Sequence, residues 1–140
     1  MRGVTMFSKI RAIHLAVNSV EAAAKDYADN FGIEAYQSDT LPALGIKNAL
    51  LQIGDSVIEL IEPLEAGQGP VAKFLEKRGE GVYMTALEVE DLAAAVEDLQ
   101  ARGVPLINAN PEAREQGIPV FIHPKASRGL MIELVETAAE

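Results

Sequence analysis

The chain contains no cysteine, which removes disulfides, thiolate metal sites and cysteine nucleophiles from consideration. Its two histidines are too few for a histidine-rich zinc site, and no HExxH pair is present. Apolar runs are short and broken by Glu, Asp or Lys, so none approaches the ~20 residues of a membrane span. The opening stretch MRGVTMFSKIRAI lacks an apolar h-region and a small-residue cleavage site. No signal peptide is expected, and a cytoplasmic location follows as the default. The glycines never take GxGxxG or P-loop spacing, which leaves no nucleotide cofactor fingerprint. No GxSxG elbow occurs either. Lys and Arg form no run, and the net charge of −9 repels phosphate backbones, so nucleic acid is excluded as a partner. The acidity reads as solubility.

What remains is an ordinary globular balance, with 49% apolar and 24% charged residues in 140, enough for one domain with a real core over 1–140. Arg11 to Val17 alternates, with Ile13, Leu15 and Val17 on one face and Ala12, His14 and Ala16 on the other; this predicts a strand. Asn18 offers an N-cap, with Glu21 three residues on as in a capping box. Val20, Ala24, Tyr27 and Phe31 follow at helical spacing to Gly32. Strand signals come next at Glu34–Ser38, Lys47–Ile53 and Ser56–Glu62, the last two joined by a Gly54-Asp55 hairpin. Between about 63 and 80 lies a linker with a short helix from Pro70 to Arg78. The pattern then restarts: a strand at Val82–Val89, a helix capped by Asp91 and closed by Gly103, and strands near Leu106–Asn108, Val120–His123 and Leu130–Val135.

The second half repeats the first. VNSVEAAA from Val17 lies over VEDLAAAV from Val89 without a gap, and Ile58-Glu59-Leu60 recurs as Ile132-Glu133-Leu134. Each half, about 10–62 and 82–136, is strand, helix, then three strands. One such half cannot bury both faces of its sheet. The expectation is an α+β fold of two paired βαβββ modules, forming an incompletely closed mixed β-sheet around a shared cleft.

Glu59 and Glu133 each interrupt an apolar strand, VIELI and MIELV. An unpartnered buried carboxylate is costly, so the pair points to metal ligation or proton transfer in the cleft. Solvent-facing positions on amphipathic strands would explain them equally by alternation alone. His14 lies between Ala12 and Ala16, small neighbours that leave room for a ligand; a satisfied core histidine is the bland alternative. His123 precedes Pro124-Lys125-Ala126-Ser127-Arg128-Gly129. Two cations and a glycine in a loop could grip a phosphate or carboxylate, or form an ordinary basic turn.

VIELIEPL from Val57, VAKFLEKRGEG from Val71 and VFIHPKASRGLMIELV from Val120 resemble the methylmalonyl-CoA epimerase branch of the vicinal oxygen chelate (glyoxalase/bleomycin resistance) superfamily. The resemblance runs from about Ile10 to Glu136. It implies a homodimer and a divalent metal (Co, Mn, Zn, Mg or Ni) held by the first and last strands of each half. That metal polarises a thioester carbonyl while a carboxylate takes the α-proton. Glu59 and Glu133 match the last-strand ligand positions. Ala12 and Met84 stand where the family has its two first-strand histidines, and neither ligates a hard cation. Asn48 stands where some members carry an acidic base, and it cannot act as one.

The resemblance therefore implies an epimerase or isomerase acting on an acyl-CoA or small carbonyl acid. Glu59, Glu133 and His14 are its catalytic candidates and also the only available metal set. Asn48, Tyr83, Met84, His123 and Lys125 are its substrate-binding candidates, with Lys73 a further CoA contact. The alternatives are a metal-free small-molecule binding protein and a metal-independent isomerase or lyase on the same fold.

Overall fold

The structure is a computed structural model that describes residues 6–137. The chain divides into two compact units, Ala12–Tyr83 and the remainder.

In the first, β1 (Phe7–Ala16) leads into α1 (Val20–Phe31). Strands β2 (Ala35–Leu41), β3 (Ile46–Ile53) and β4 (Ser56–Pro63) and helix α2 (Gly69–Arg78) follow. The strand order is β2-β3-β4-β1. β2, β3 and β4 are antiparallel neighbours, whereas β1 runs parallel to β4. That parallel pairing requires a crossover, which α1 and the first hairpin strands supply.

The second unit repeats the plan. β5 (Gly81–Val89), α3 (Leu92–Ala101), β6 (Leu106–Ile107), α4 (Pro111–Glu115), β7 (Val120–Ile122) and β8 (Ile132–Glu136) follow in sequence. Their sheet order is β5-β8-β7-β6, with β5 parallel to β8 and the others antiparallel. Each module's sheet is thus mixed and open. No helix of the described residues is long and apolar enough to cross a membrane.

The repeat extends to the way each helix starts. Ser19 caps α1, its hydroxyl accepting from the Ala22 N–H, and Asp91 caps α3 by accepting from Ala94. The cap of α1 is therefore Ser19 and not Asn18. A second donor of that first turn is met from the end of β4, where Glu62 Oε1 accepts from the Val20 N–H at 2.9 Å. Glu136, at the end of β8, does the same for Leu92 at 2.8 Å. Two orphan donors of each first turn are thereby satisfied, one locally and one by a strand.

The cores follow the same logic. Val17, Val20, Ala49, Leu51 and Leu60 close under α1, with Leu15, Ala23 and Tyr27 packed beside them. Val89, Ala95, Val96, Leu99, Val120, Ile122, Ile132 and Leu134 form the corresponding core under α3. α2 packs on the first module through Val71, Phe74 and Leu75, against Ala16, Ile61 and Tyr83. The chain between about 63 and 80 is thus more than a tether.

Candidate functional site

Alternation along β1 puts Ala12, His14 and Ala16 on one face, as expected, and that face is buried. His14 is only 7% exposed, while Ile13 on the other face is 40% exposed. Leu15 reaches the helix side of the sheet; the alanine and histidine face lies on the side away from α1. β4 contributes Glu59, in register with His14 across the parallel pair. β3 contributes Asn48, also 7% exposed, and β2 contributes Asp39, in register with Asn48.

These four residues form a polar line across the module. The Asp39 backbone N–H donates to Asn48 Oδ1 at 3.1 Å. Asn48 Nδ2 then donates to Glu59 Oε2, also at 3.1 Å. Glu59 Oε1 faces His14 Nε2 at 3.9 Å, beyond a direct hydrogen bond. The backbone donor fixes which end of the Asn48 amide points where, so an NH₂ group and not a carbonyl meets the carboxylate. One oxygen of Glu59 is occupied and the other faces the imidazole.

Burial pushes the His14 pKa below its usual 6.5, and the nearby Glu59 carboxylate pulls it partly back. Desolvation is the larger effect, so His14 is predominantly neutral at pH 7. A neutral imidazole beside an oriented carboxylate can polarise a carbonyl oxygen while the carboxylate handles a proton.

The remaining candidates lie elsewhere. Glu133 is half-buried in β8, opposite Phe121 on β7 and Ala86 on β5. Ala86 is thus the counterpart of His14 in the second module, so the His–Glu register occurs in only one of the two repeats. Tyr83 packs edge-on to Phe74 with ring centroids 5.3 Å apart, and burial raises its pKa; it is part of the α2 packing. Met84 is buried in β5. His123 and Lys125 lie exposed in the turn after β7, where His123 Nδ1 accepts from the Lys125 N–H at 3.1 Å.

The donor set does not fit the resident divalent ion that the family resemblance implied. No group of three or more His, Cys, Asp or Glu side chains that could hold a metal forms among the described residues. His14 and Glu59 lie side by side in the first module, and Glu133 lies in the second. Ala12 and Met84, at the remaining positions, offer no hard donor. Asp39 had no signal in the sequence, because its contribution is a backbone N–H.

The model for the glyoxalase/bleomycin resistance protein/dioxygenase superfamily matches residues 12–121. The ethylmalonyl-CoA/methylmalonyl-CoA epimerase of Cereibacter sphaeroides is 33% identical over 132 residues, covering 92% of this chain and 98% of that protein. The crystal structure of methylmalonyl-CoA epimerase from Mycobacterium tuberculosis superposes with a TM-score of 0.85 at 31% identity, covering 99% of this chain and 94% of that one. A Streptomyces coelicolor methylmalonyl-CoA epimerase variant in complex with 2-nitronate-propionyl-CoA superposes with a TM-score of 0.84 at 30% identity, covering 95% and 96%. With its two βαβββ modules and a matched segment spanning most of its length, the chain belongs to the glyoxalase/bleomycin resistance protein/dioxygenase superfamily, the vicinal oxygen chelate proteins.

Proposed function

We propose that this protein is a metal-independent isomerase or lyase of the vicinal oxygen chelate fold. It moves the α-proton of a small carbonyl acid or acyl thioester. The observation that carries this reading is the His14–Glu59 pair, with Glu59 oriented by Asn48.

In the first step the substrate C–H bond breaks and its proton passes to Glu59 Oε1. The electron pair moves to the carbonyl oxygen, giving an enolate. His14, neutral because it is buried, presents Nε2–H to that oxygen. A neutral donor suits this role, since it stabilises developing negative charge without being titrated by the base beside it. Asn48 keeps Oε2 engaged, so the basic oxygen has one direction in which to act. Reprotonation of the enolate on its other face completes an isomerisation, whereas return to the same face gives only exchange with solvent. Glu133, the matching carboxylate of the second repeat, is a further candidate for proton handling.

The relatives support the substrate class. The Cereibacter enzyme is named for ethylmalonyl-CoA and methylmalonyl-CoA, both thioesters with an acidic α-proton. A binding protein without turnover is the second reading. It is favoured by Ala86, which leaves the second module without a histidine where the first has one. Exchange of the α-proton of methylmalonyl-CoA in D₂O, in the presence of EDTA, separates the two. Exchange above the uncatalysed rate supports the enzyme, and tight binding without exchange supports the binder.

A further inference from the structure

We infer that helix α2 walls one end of the candidate site, and that Phe74 sets the size of the alkyl group the substrate's α-carbon can carry. The inference rests on the proton-transfer reading and names the acyl substituent that this reading leaves open.

The wall follows from strand alternation. His14 and Ala16 share one face of β1, Glu59 and Ile61 the same face of β4, and Asn48 and Ile46 that face of β3. α2 joins Ala16 and Ile61 in one apolar cluster through Val71, with Ile46, Phe74, Leu75 and Tyr83 packed beside it. The helix therefore lies on the same side of the sheet as the polar line, while α1 covers the other side. Ala16 and Ile61 are each two residues beyond the His14–Glu59 pair, roughly 6–7 Å along the strands. A large side chain reaching back from α2 thus meets whatever rests on the pair.

Helix geometry selects Phe74. Val71 is buried against the sheet. Successive residues turn by about 100°, which puts Ala72 and Leu75 on one flank of Val71, and Phe74 and Arg78 on the other. Ala72 and Leu75 line a cavity with Asn18, Glu62 and Pro63, residues at the ends of β1 and β4. The opposite flank, with Phe74, faces back along the strands toward His14 and Glu59.

The ring is braced. Tyr83 meets Phe74 edge-on with centroids 5.3 Å apart, and the Arg78 guanidinium carbon lies 5.7 Å from the Phe74 centroid. Phe74 is still only half-buried, so part of a fixed apolar surface stays open. Lys73, Glu76 and Lys77 are exposed and take no part in the α2 cluster.

The chemistry of the wall identifies the group it meets. With the carbonyl oxygen at His14 Nε2 and the α-hydrogen at Glu59 Oε1, two groups on the substrate remain to be placed beside the thioester. A carboxylate against Val71 and Phe74 would lose its water without gaining a partner, and a coenzyme arm is too long for a closed end. The alkyl branch is what an apolar wall accepts. A fixed ring there admits a short branch and clashes with a longer one.

The test is α-proton exchange in D₂O, with EDTA present, over a 2-alkylmalonyl-CoA series from methyl to butyl. Phe74→Ala should raise the butyl-to-methyl rate ratio about tenfold or more, with Phe74→Leu in between. Leu75→Ala, on the other flank, should leave the ratio unchanged, which separates a wall from a general loosening of α2. Thermal unfolding checks that each variant is folded, and Phe74→Leu decides if Phe74→Ala is not. An unmoved ratio in the folded Phe74 variants, or an equal rise in Leu75→Ala, overturns the inference. If the wild type exchanges none of the series, the proton-transfer reading fails by itself. Dissociation constants of the same thioesters by calorimetry then decide the wall, and a butyl-to-methyl affinity ratio that the Phe74 variants do not raise overturns it as well.

Discussion

Asn48 lies opposite Ile61 in the sheet, yet its amide reaches diagonally to Glu59 Oε2. That diagonal sets the geometry of the site. The amide cannot turn around without giving up the Asp39 N–H, so the carboxylate meets a donor and never a second acceptor.

Replacing Asn48 should therefore change His14 through Glu59, which faces both. Asn48→Ala leaves the Asp39 N–H and one Glu59 oxygen without their partner, at about 1–3 kcal/mol. Asn48→Asp brings a second carboxylate beside Glu59 and should raise the His14 pKa. Histidine ring NMR against pH reads that shift, and an unmoved His14 titration in Asn48→Asp would contradict the polar line.

Stability should depend on pH through His14. Its folded-state pKa lies below the unfolded 6.5, so the unfolded chain binds more protons in the window between the two values. The contribution is fully present above 6.5 and is lost as pH falls through the lower folded-state value. Urea unfolding between about pH 5 and pH 8 should show wild-type stability declining below 6.5. In His14→Gln that part of the decline should be absent. Equal slopes in both proteins would show that His14 is not held neutral.

The helix-start carboxylates should matter equally in both repeats. Glu62→Gln and Glu136→Gln each remove a charge from a helix N-terminus while keeping an acceptor. Each should cost about 0.3–1 kcal/mol, and their Ala variants about 0.5–2 kcal/mol. Thermal unfolding of the four variants measures this. A destabilisation seen in only one module would show that the two caps are not equivalent.

Leu60 is fully buried under α1. Leu60→Ala should cost about 2–5 kcal/mol, read as a lower urea midpoint at unchanged slope. A loss under 1 kcal/mol would mean that the core under α1 can collapse around the gap.

The repeat made most of the fold legible. Glycines at helix ends, the Gly54-Asp55 hairpin and the IEL pairs mark two copies of one pattern, and the element sequence followed from it. Pairing direction was not legible, because a parallel β1–β4 contact depends on a crossover and leaves no local mark. The short helix α4, capped by Asn110 with Pro111 at its first position, was not read from the sequence, because a five-residue helix leaves no apolar periodicity. Asn18 lost the cap to Ser19 by one residue, a shift that composition cannot resolve when both types are good caps.

At the site, His14 and Glu59 were each legible as chemistry-bearing residues. Their direct pairing depends on register, which brings residues from strands about 45 positions apart side by side. Asn48 read as a hydrogen-bond donor, and its partner could not be read, because diagonal contacts across β3 and β4 depend on side-chain torsions. Ala12 and Met84, where the resemblance places the first-strand histidines, were legible in the sequence as residues that offer no hard donor.

The central claim is that Glu59 moves a proton without a metal. Its most direct test is the α-proton exchange of methylmalonyl-CoA and ethylmalonyl-CoA in D₂O by NMR, with EDTA present, comparing wild type with Glu59→Gln. Chelator-resistant exchange in the wild type that falls by about a hundredfold or more in folded Glu59→Gln is the predicted result. Exchange that appears only when Co²⁺ or Mn²⁺ is added, or that survives in Glu59→Gln, would contradict the account.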